Sequence, residues 1–106
     1  MGGLTNVVAI ASGLTGAYPA EAEAAIKKAD AFRIGLVGTL GRGHIGALYY
    51  YAMMAVKHDM IGVVTGRSVA RQVVPYGGAA GRLGTNPVAI GIPAGEERPI
   101  LLDMAT

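Results

Sequence analysis

The sequence predicts an α/β domain, because short apolar runs typical of buried strands alternate with two longer stretches typical of helices. Its 106 residues are enough for one domain rather than two. Hydrophobic residues make up 52% of the chain and charged residues only 15%, a composition that excludes an intrinsically disordered protein. Because the chain has no cysteine, a disulfide scaffold and a thiolate metal site are excluded as well.

The first helix is predicted at residues 20–32. Pro19 suits the first turn of a helix, where its missing backbone N–H costs nothing. Glutamates follow near the N-terminal end and lysines near the C-terminal end, as the helix dipole favours. The preceding residues 1–18 are rich in glycine and lack a clear period, with a candidate strand at residues 7–10.

A strand–helix–strand unit is predicted at about residues 34–65. The apolar runs at 34–40 and 61–65 predict two short buried strands. Residues 45–58 between them predict a helix that is apolar nearly all round and therefore buried on several sides, with the three tyrosines at 49–51 packed in the core. This βαβ arrangement predicts parallel strands and a right-handed crossover.

Residues 66–87 predict a long loop, because they are rich in glycine and proline and have no strong period. A loop of this length in a compact domain is usually functional or disordered, and its apolar residues and Tyr76 argue against disorder. Two further strands are predicted at residues 88–92 and 100–103, joined by a turn through residues 93–99.

The distribution of charge argues against a nucleic acid as the partner. The net charge is +2, and the lysines and arginines are spread along the sequence, whereas nucleic-acid-binding proteins concentrate them on one face. No apolar run reaches the roughly 18–20 residues of a membrane-spanning helix. Because a secretory signal is not recognisable either, we expect a cytoplasmic protein without a membrane partner. The two histidines are far apart and acids are few, so no metal site is predicted.

A candidate anion-binding loop lies at residues 41–46, which fit the pattern G-x-G-x-x-G between a predicted strand and a predicted helix. Glycines let backbone N–H groups approach a phosphate, and the helix N-terminus favours negative charge. A Rossmann domain would need an acid about 20 residues later to hold a ribose. Gly66, Arg67 and Ser68 stand there instead, which disfavours that fold, and an arginine there suits a 2′-phosphate. A tight turn without a ligand is the alternative.

His44 and Asp103 are candidate catalytic residues. His44 lies in this loop at a predicted helix start, where the positive helix end favours a neutral imidazole that can accept a proton. Asp103 follows an apolar run, and ligands of α/β proteins bind at such strand ends. The alternatives are a capping histidine and a solvated carboxylate. Thr85 and Asn86 can equally close a turn by bonding their own backbone, and His58, after the second helix, is interpreted as structural.

Several strings, taken in order, resemble the malate/L-lactate dehydrogenase family of NAD(P)-dependent oxidoreductases, which includes ureidoglycolate and sulfolactate dehydrogenases and a reductase of cyclic imino acids. The resemblance covers about residues 20–106. The strings are GHIGALYYYA at 43–52, MIG at 60–62, PYGG at 75–78, GTNP at 84–87 and LDMAT at 102–106.

The resemblance implies a nicotinamide-cofactor domain that is not a Rossmann fold, of which residues 1–106 are a part. It implies hydride transfer between NAD or NADP and a small 2-hydroxy or 2-keto acid such as malate or lactate, or an imino acid, in a homodimer. By resemblance His44 is the proton acceptor, and Asp103 supports a catalytic histidine elsewhere in the family's chain. The cofactor-binding residues implied are His44, Ile45, Gly46, Ala47, Leu48, Ser68, Thr85, Asp103, Met104 and Ala105.

The chain also departs from this family. The loop at residues 66–72 lacks the usual proline and is about one residue longer, which makes Ser68 uncertain by a position. A Ser-His-Gly motif and a substrate-binding arginine are absent, so we expect a fragment of a longer enzyme that is inactive alone. The alternative is a non-catalytic module that binds a nucleotide or another anion, or a vestigial truncated product. Arg67 and Arg71 favour NADP over NAD, because a 2′-phosphate fits a guanidinium.

Overall fold

A computed structural model of the chain describes residues 6–12, 19–39 and 46–106. Mixed helix and sheet are present, as the sequence predicts. The elements are β1 (Val7–Ser12), α1 (Pro19–Phe32), β2 (Ile34–Thr39), α2 (Tyr49–Val56), β3 (Ile61–Thr65), β4 (Val88–Ile92) and β5 (Ile100–Met104).

The strands form one five-stranded sheet in the order β2-β1-β3-β4-β5. β1 pairs in parallel with β2 on one side and with β3 on the other, so that Val8 is opposite both Gly35 and Gly62. β4 runs antiparallel to β3, and β5 antiparallel to β4. The strands of the predicted βαβ unit, β2 and β3, therefore point the same way but have β1 between them.

Small residues line the face of the sheet on which the helices pack. Gly35 faces the backbone of Ala25 in α1 so closely that a Cβ at this glycine would collide with the Ala25 carbonyl oxygen. Gly62 meets Ala52 of α2 in the same way. The fully buried core positions are accordingly alanines and one valine: Ala22, Ala25, Ala29, Ala52, Val64 and Ala89. Both helices approach the strands at backbone contact distance, where dispersion contacts are densest.

The prediction of fully buried strands is wrong for β2. Ile34 and Leu36 are 65% and 59% exposed, while Gly35 and Thr39 on the other face of the strand are buried. Successive side chains of a strand point to opposite faces of the sheet. The helices cover one face, and the apolar residues on the other face of β2 remain exposed.

The prediction that the second helix is buried on several sides is also wrong. Among the described residues α2 begins at Tyr49, and the first residue of the predicted range, Ile45, lies outside them. Tyr51 is buried, but Tyr49 and Tyr50 are 47% and 55% exposed, because the sheet and α1 contact only part of this helix. The ring of Tyr50 meets that of Tyr51 edge to face at 5.3 Å.

The helix at residues 20–32 and the strands at 61–65, 88–92 and 100–103 are confirmed, with bounds within a residue or so of those predicted. Asp59 ends the turn after α2 in the left-handed region, at a φ of 59°. The amide of Met60 then donates to the carbonyl of Ala55, which directs the chain into β3. None of the helices among the described residues has the length and apolarity needed to cross a membrane.

Candidate functional site

The chain around the N-terminus of α2 carries the first group of predicted site residues. His44 and Ile45 lie outside the described residues and stay predictions, as does the glycine pattern from Gly41 to Gly43. Gly46 has a φ of +77°, a conformation that glycine adopts without strain, and among the described residues other than its chain neighbours no atom lies within 4 Å of where a Cβ would be. Leu48 anchors this stretch, since its side chain is buried in the core at 3% exposure.

Asp103 lies beside this stretch. Its Oδ2 accepts a hydrogen bond of 3.0 Å from the backbone N–H of Tyr49, the first residue of α2. Leu48, at the N-cap position, offers no side-chain cap. The carboxylate therefore satisfies a backbone donor at the N-terminus of the helix, the end that favours negative charge.

The register of the sheet explains how Asp103 reaches α2. Asp103 of β5 is opposite Ala89 of β4, which is opposite Val64 of β3. Ala89 and Val64 are fully buried beneath the helices, so Asp103 lies in the same row on the same face of the sheet. The two strings GHIGALYYYA and LDMAT, 54 residues apart at this contact, are thus brought together.

Ser68 and Thr85 form a second pair of predicted residues. The amide of Ser68 donates to the carbonyl oxygen of Thr85 over 2.9 Å, and the Ser68 Oγ accepts from the amide of Ala70 over 3.2 Å. The loop at residues 66–87 therefore folds back on itself. Its two arms, residues 66–73 and residues 82–87, run side by side and are joined by backbone hydrogen bonds. An isolated antiparallel bridge between Val73 and Leu83 continues the pairing.

A cavity of about 330 Å³ opens between these arms. Three arginines line it, Arg67, Arg71 and Arg82, together with Ser68 and Asn86. The sequence had suggested Arg67 and Arg71 as phosphate ligands but had treated Arg82 as one of several scattered cations. The signal that could have found Arg82 is the absence of any Asp or Glu between Asp59 and Glu96, which makes this segment purely cationic.

The end of the LDMAT string connects the two groups. The Thr106 hydroxyl donates to the carbonyl oxygen of Asn86 over 3.4 Å, on the wall of the arginine cavity. Three residues of extended chain span at most about 11 Å. Asp103 at the N-terminus of α2 and Thr106 at the cavity are therefore within that distance of each other, and the predicted cofactor contacts Met104 and Ala105 lie exposed between them.

These positions fit an anionic dinucleotide. The arginine cavity supplies positive potential, whereas the N-terminus of α2 already bonds the Asp103 carboxylate and lies beside the exposed backbone and apolar surface of Gly46, Ala47 and Met104. Within residues 6–12, 19–39 and 46–106, no group of three His, Asp or Glu side chains is placed to hold a metal ion.

Known proteins are similar to most of this chain. The chain is 49% identical over 84 residues to the L-sulfolactate dehydrogenase of Methanothermobacter thermautotrophicus, a match that covers 79% of this chain and 24% of that protein. It is 45% identical over 82 residues to a malate dehydrogenase of Pyrococcus horikoshii, covering 77% of this chain and 22% of the relative.

A ureidoglycolate dehydrogenase (NAD(+)) of Escherichia coli K12 is 38% identical over 84 residues, 79% of this chain and 24% of the relative. The chain thus spans about a quarter of the length of the curated relatives it matches. No solved structure matches it. A profile of the malate/L-lactate dehydrogenase family matches residues 11–106, which contain every strand and helix from α1 to β5 and all the site residues described above. The chain belongs to the malate/L-lactate dehydrogenase family.

Proposed function

We propose that the protein acts as a nicotinamide-dependent oxidoreductase on a small 2-hydroxy or 2-keto acid such as malate or lactate. The hydrogen bond of Asp103 to the N-terminus of α2 carries the proposal, because it joins the two strings to which the resemblance assigns cofactor binding. The relatives are named as sulfolactate, malate and ureidoglycolate dehydrogenases, and all three substrates are hydroxy acids. Since this chain spans about a quarter of their length, the activity is that of the whole protein.

Each residue has a role in this proposal. The cofactor, when bound, supplies the ring that takes up or gives the hydride. Gly46 and Ala47 offer backbone near the helix N-terminus, and Ser68 and Thr85 hold the two arms of the loop together. His44 accepts the proton of the substrate hydroxyl and returns it in the reverse direction. Asp103 fixes the start of α2 and, as the resemblance implies, supplies the negative charge that supports a catalytic histidine elsewhere in the family's chain.

We propose NADP as the preferred cofactor, on the support of Arg67 and Arg71 in the cavity. A guanidinium forms paired hydrogen bonds with phosphate oxygens, whereas NAD has no 2′-phosphate for them to bind. NADH binding tighter than NADPH would contradict this preference. The homodimer and the cytoplasmic location stay predictions.

Thermal unfolding of the chain with and without NADPH tests the binding part of the proposal. A ligand present at 100 times its dissociation constant stabilises the folded protein by about 2.7 kcal/mol. We expect NADPH to raise the unfolding temperature and ATP, at the same concentration, to raise it less. An equal shift with ATP would favour the second candidate function, a module that binds nucleotides or other anions without catalysis, which the cationic cavity alone would also support.

His44→Ala, made in the whole protein, tests the proposed role of His44 as the proton acceptor. We expect the variant to lose hydride transfer by about 10²–10⁴-fold, the usual contribution of a general base, while it still binds NADPH. His58→Ala is the matched control, because His58 is an exposed histidine just beyond α2. Unchanged turnover in His44→Ala would remove this residue from the mechanism.

A further inference from the structure

The arginine cavity concentrates positive charge. No Asp or Glu occurs between Asp59 and Glu96, and the only cationic side chains in that segment are Arg67, Arg71 and Arg82. All three are exposed at the cavity, and none forms a hydrogen bond or ion pair with another described residue through its guanidinium. A cleft lined by one sign of charge attracts ions of the opposite sign, so these three arginines attract an anion.

The backbone of the loop holds the cluster together. The amide of Arg82 donates to the carbonyl of Val73 over 3.0 Å, which fixes the second arm against the first. A Cβ at Gly81 would collide with the carbonyl oxygen of Arg71, and one at Gly84 with that of Ser68. The arms therefore touch at these two glycines on either side of Arg82, and this contact brings Arg82 to Arg67 and Arg71 across the cavity.

We propose that this cavity binds a phosphate monoester dianion and that Arg82 determines its affinity. The inference rests on the proposed function and deepens it, since the 2′-phosphate of NADP is one source of that group and free phosphate is the other. A phosphate monoester carries a charge of about −1.5 to −2 at pH 7 and three acceptor oxygens. A carboxylate or a phosphodiester carries a single charge and matches one guanidinium, whereas three guanidiniums match a dianion.

Isothermal titration of the intact chain with 2′-AMP, 5′-AMP, inorganic phosphate and adenosine tests the proposal. We expect 2′-AMP to bind about tenfold or more tightly than the other phosphates, and adenosine to bind least. Arg82→Gln should weaken 2′-AMP about tenfold, the effect of losing one charge-assisted hydrogen bond. Arg82→Lys should fall between the two, because lysine keeps the charge but lacks the paired donors.

Arg98→Gln is the matched control. It removes the same charge from an exposed residue of the turn between β4 and β5, at the end of β4 opposite to the cavity. Circular dichroism shows whether each variant is folded. If Arg82→Gln does not fold, Arg71→Gln replaces it in the titrations. We expect Arg98→Gln to bind 2′-AMP as the parent chain does.

The outcomes separate the two sources. Equal affinity for the three phosphates, lost in Arg82→Gln, would support the phosphate site, identify free phosphate as its ligand and contradict the NADP preference. Absence of binding by all three, or equal weakening in Arg82→Gln and Arg98→Gln, would overturn the proposal. None of these probes contains nicotinamide, so failure of the proposed oxidoreductase function would appear separately, as a chain that binds NADPH no more tightly than 2′-AMP and therefore gains nothing from the nicotinamide half of the cofactor.

Discussion

At the scale of single residues, Asp103 replaces a local cap on α2. Helices commonly begin with a Ser, Thr, Asp or Asn whose side chain accepts a hydrogen bond from the first turn. Leu48 stands at that position here, and a carboxylate from β5 accepts the bond instead. The start of α2 therefore depends on the correct pairing of β4 with β5, and an error in either would disturb the other.

Asp103→Ala should lower the free energy of unfolding by about 1 kcal/mol, the usual cost of removing a helix N-cap acceptor. Asp103→Asn should cost less, because its amide oxygen can still accept from Tyr49. Urea unfolding followed by circular dichroism measures both. Asp30→Ala is the control, since Asp30 is an exposed aspartate inside α1 and alanine is the better helix former. Equal effects at positions 30 and 103 would show that the bond to Tyr49 does not stabilise α2.

The sequence predicted Asp103 as a site residue but not this contact. Composition and spacing place an acid at the end of an apolar run, whereas its partner follows from the register of β4 and β5, which local sequence does not encode. Arg82 was missed for a similar reason. Its neighbourhood depends on backbone pairing between residues far apart in the loop, such as Val73 with Leu83.

At the scale of elements, the helices pack closely on the sheet because glycines in the strands leave no side-chain atoms between the two layers. Gly35, Gly62 and Gly91 lie in register across β2, β3 and β4 on the face beneath the helices. The Cα of Ala52 lies 2.9 Å from where a Cβ at Gly62 would be. The strands were predictable because their apolar runs are short and bounded by turn residues, and α1 because charge and proline mark its ends.

The apolar runs could not reveal which strand face is covered. β2 reads IGLVGT, and this run suits a strand buried on both faces as well as one on which small residues meet a helix. In the fold Gly35 marks the covered face, whereas Gly38 and the larger Ile34 and Leu36 lie on the exposed one.

Gly62→Ala should destabilise the fold by about 1–3 kcal/mol, the usual cost of inserting a methyl into a packed interface. Gly38→Ala is the matched control, because Gly38 is exposed on a neighbouring region of the same sheet and alanine restricts the unfolded chain. The ratio of folded to unfolded protein in urea measures both. A Gly62→Ala variant as stable as the parent would show that α2 can move off β3 without cost.

At the scale of the whole molecule, the structure is flatter and more exposed than a compact domain of its length. Its radius of gyration is 15.1 Å, against about 13 Å expected for this number of residues. Its accessible surface is 6940 Å², against about 5500 Å² for a compact monomer of 10.8 kDa. The shortest dimension of 18 Å is that of one sheet with one layer of helices.

Replacements on the two faces of the sheet should therefore differ in their effect on the free energy of unfolding. Leu36→Lys should change the free energy of unfolding by less than about 0.5 kcal/mol, since Leu36 is already 59% exposed. Val64→Ala should cost about 2 kcal/mol, because Val64 is fully buried. Chemical denaturation of both variants gives the comparison. A loss of more than about 2 kcal/mol in Leu36→Lys would show that Leu36 is covered in solution.

The glycine and alanine contact between helices and sheet also decides what a mutational survey can detect. Alanine scanning removes atoms, but Ala25, Ala52 and Ala89 have almost none to remove, and at Gly35 or Gly62 it adds them. In such a survey the alanines between the two layers would show no effect. At the glycines, a loss of stability would report added atoms rather than removed ones. A survey that enlarges side chains by one methyl at a time would instead identify the residues of this contact. In related sequences, we expect these positions to accept smaller residues but not larger ones.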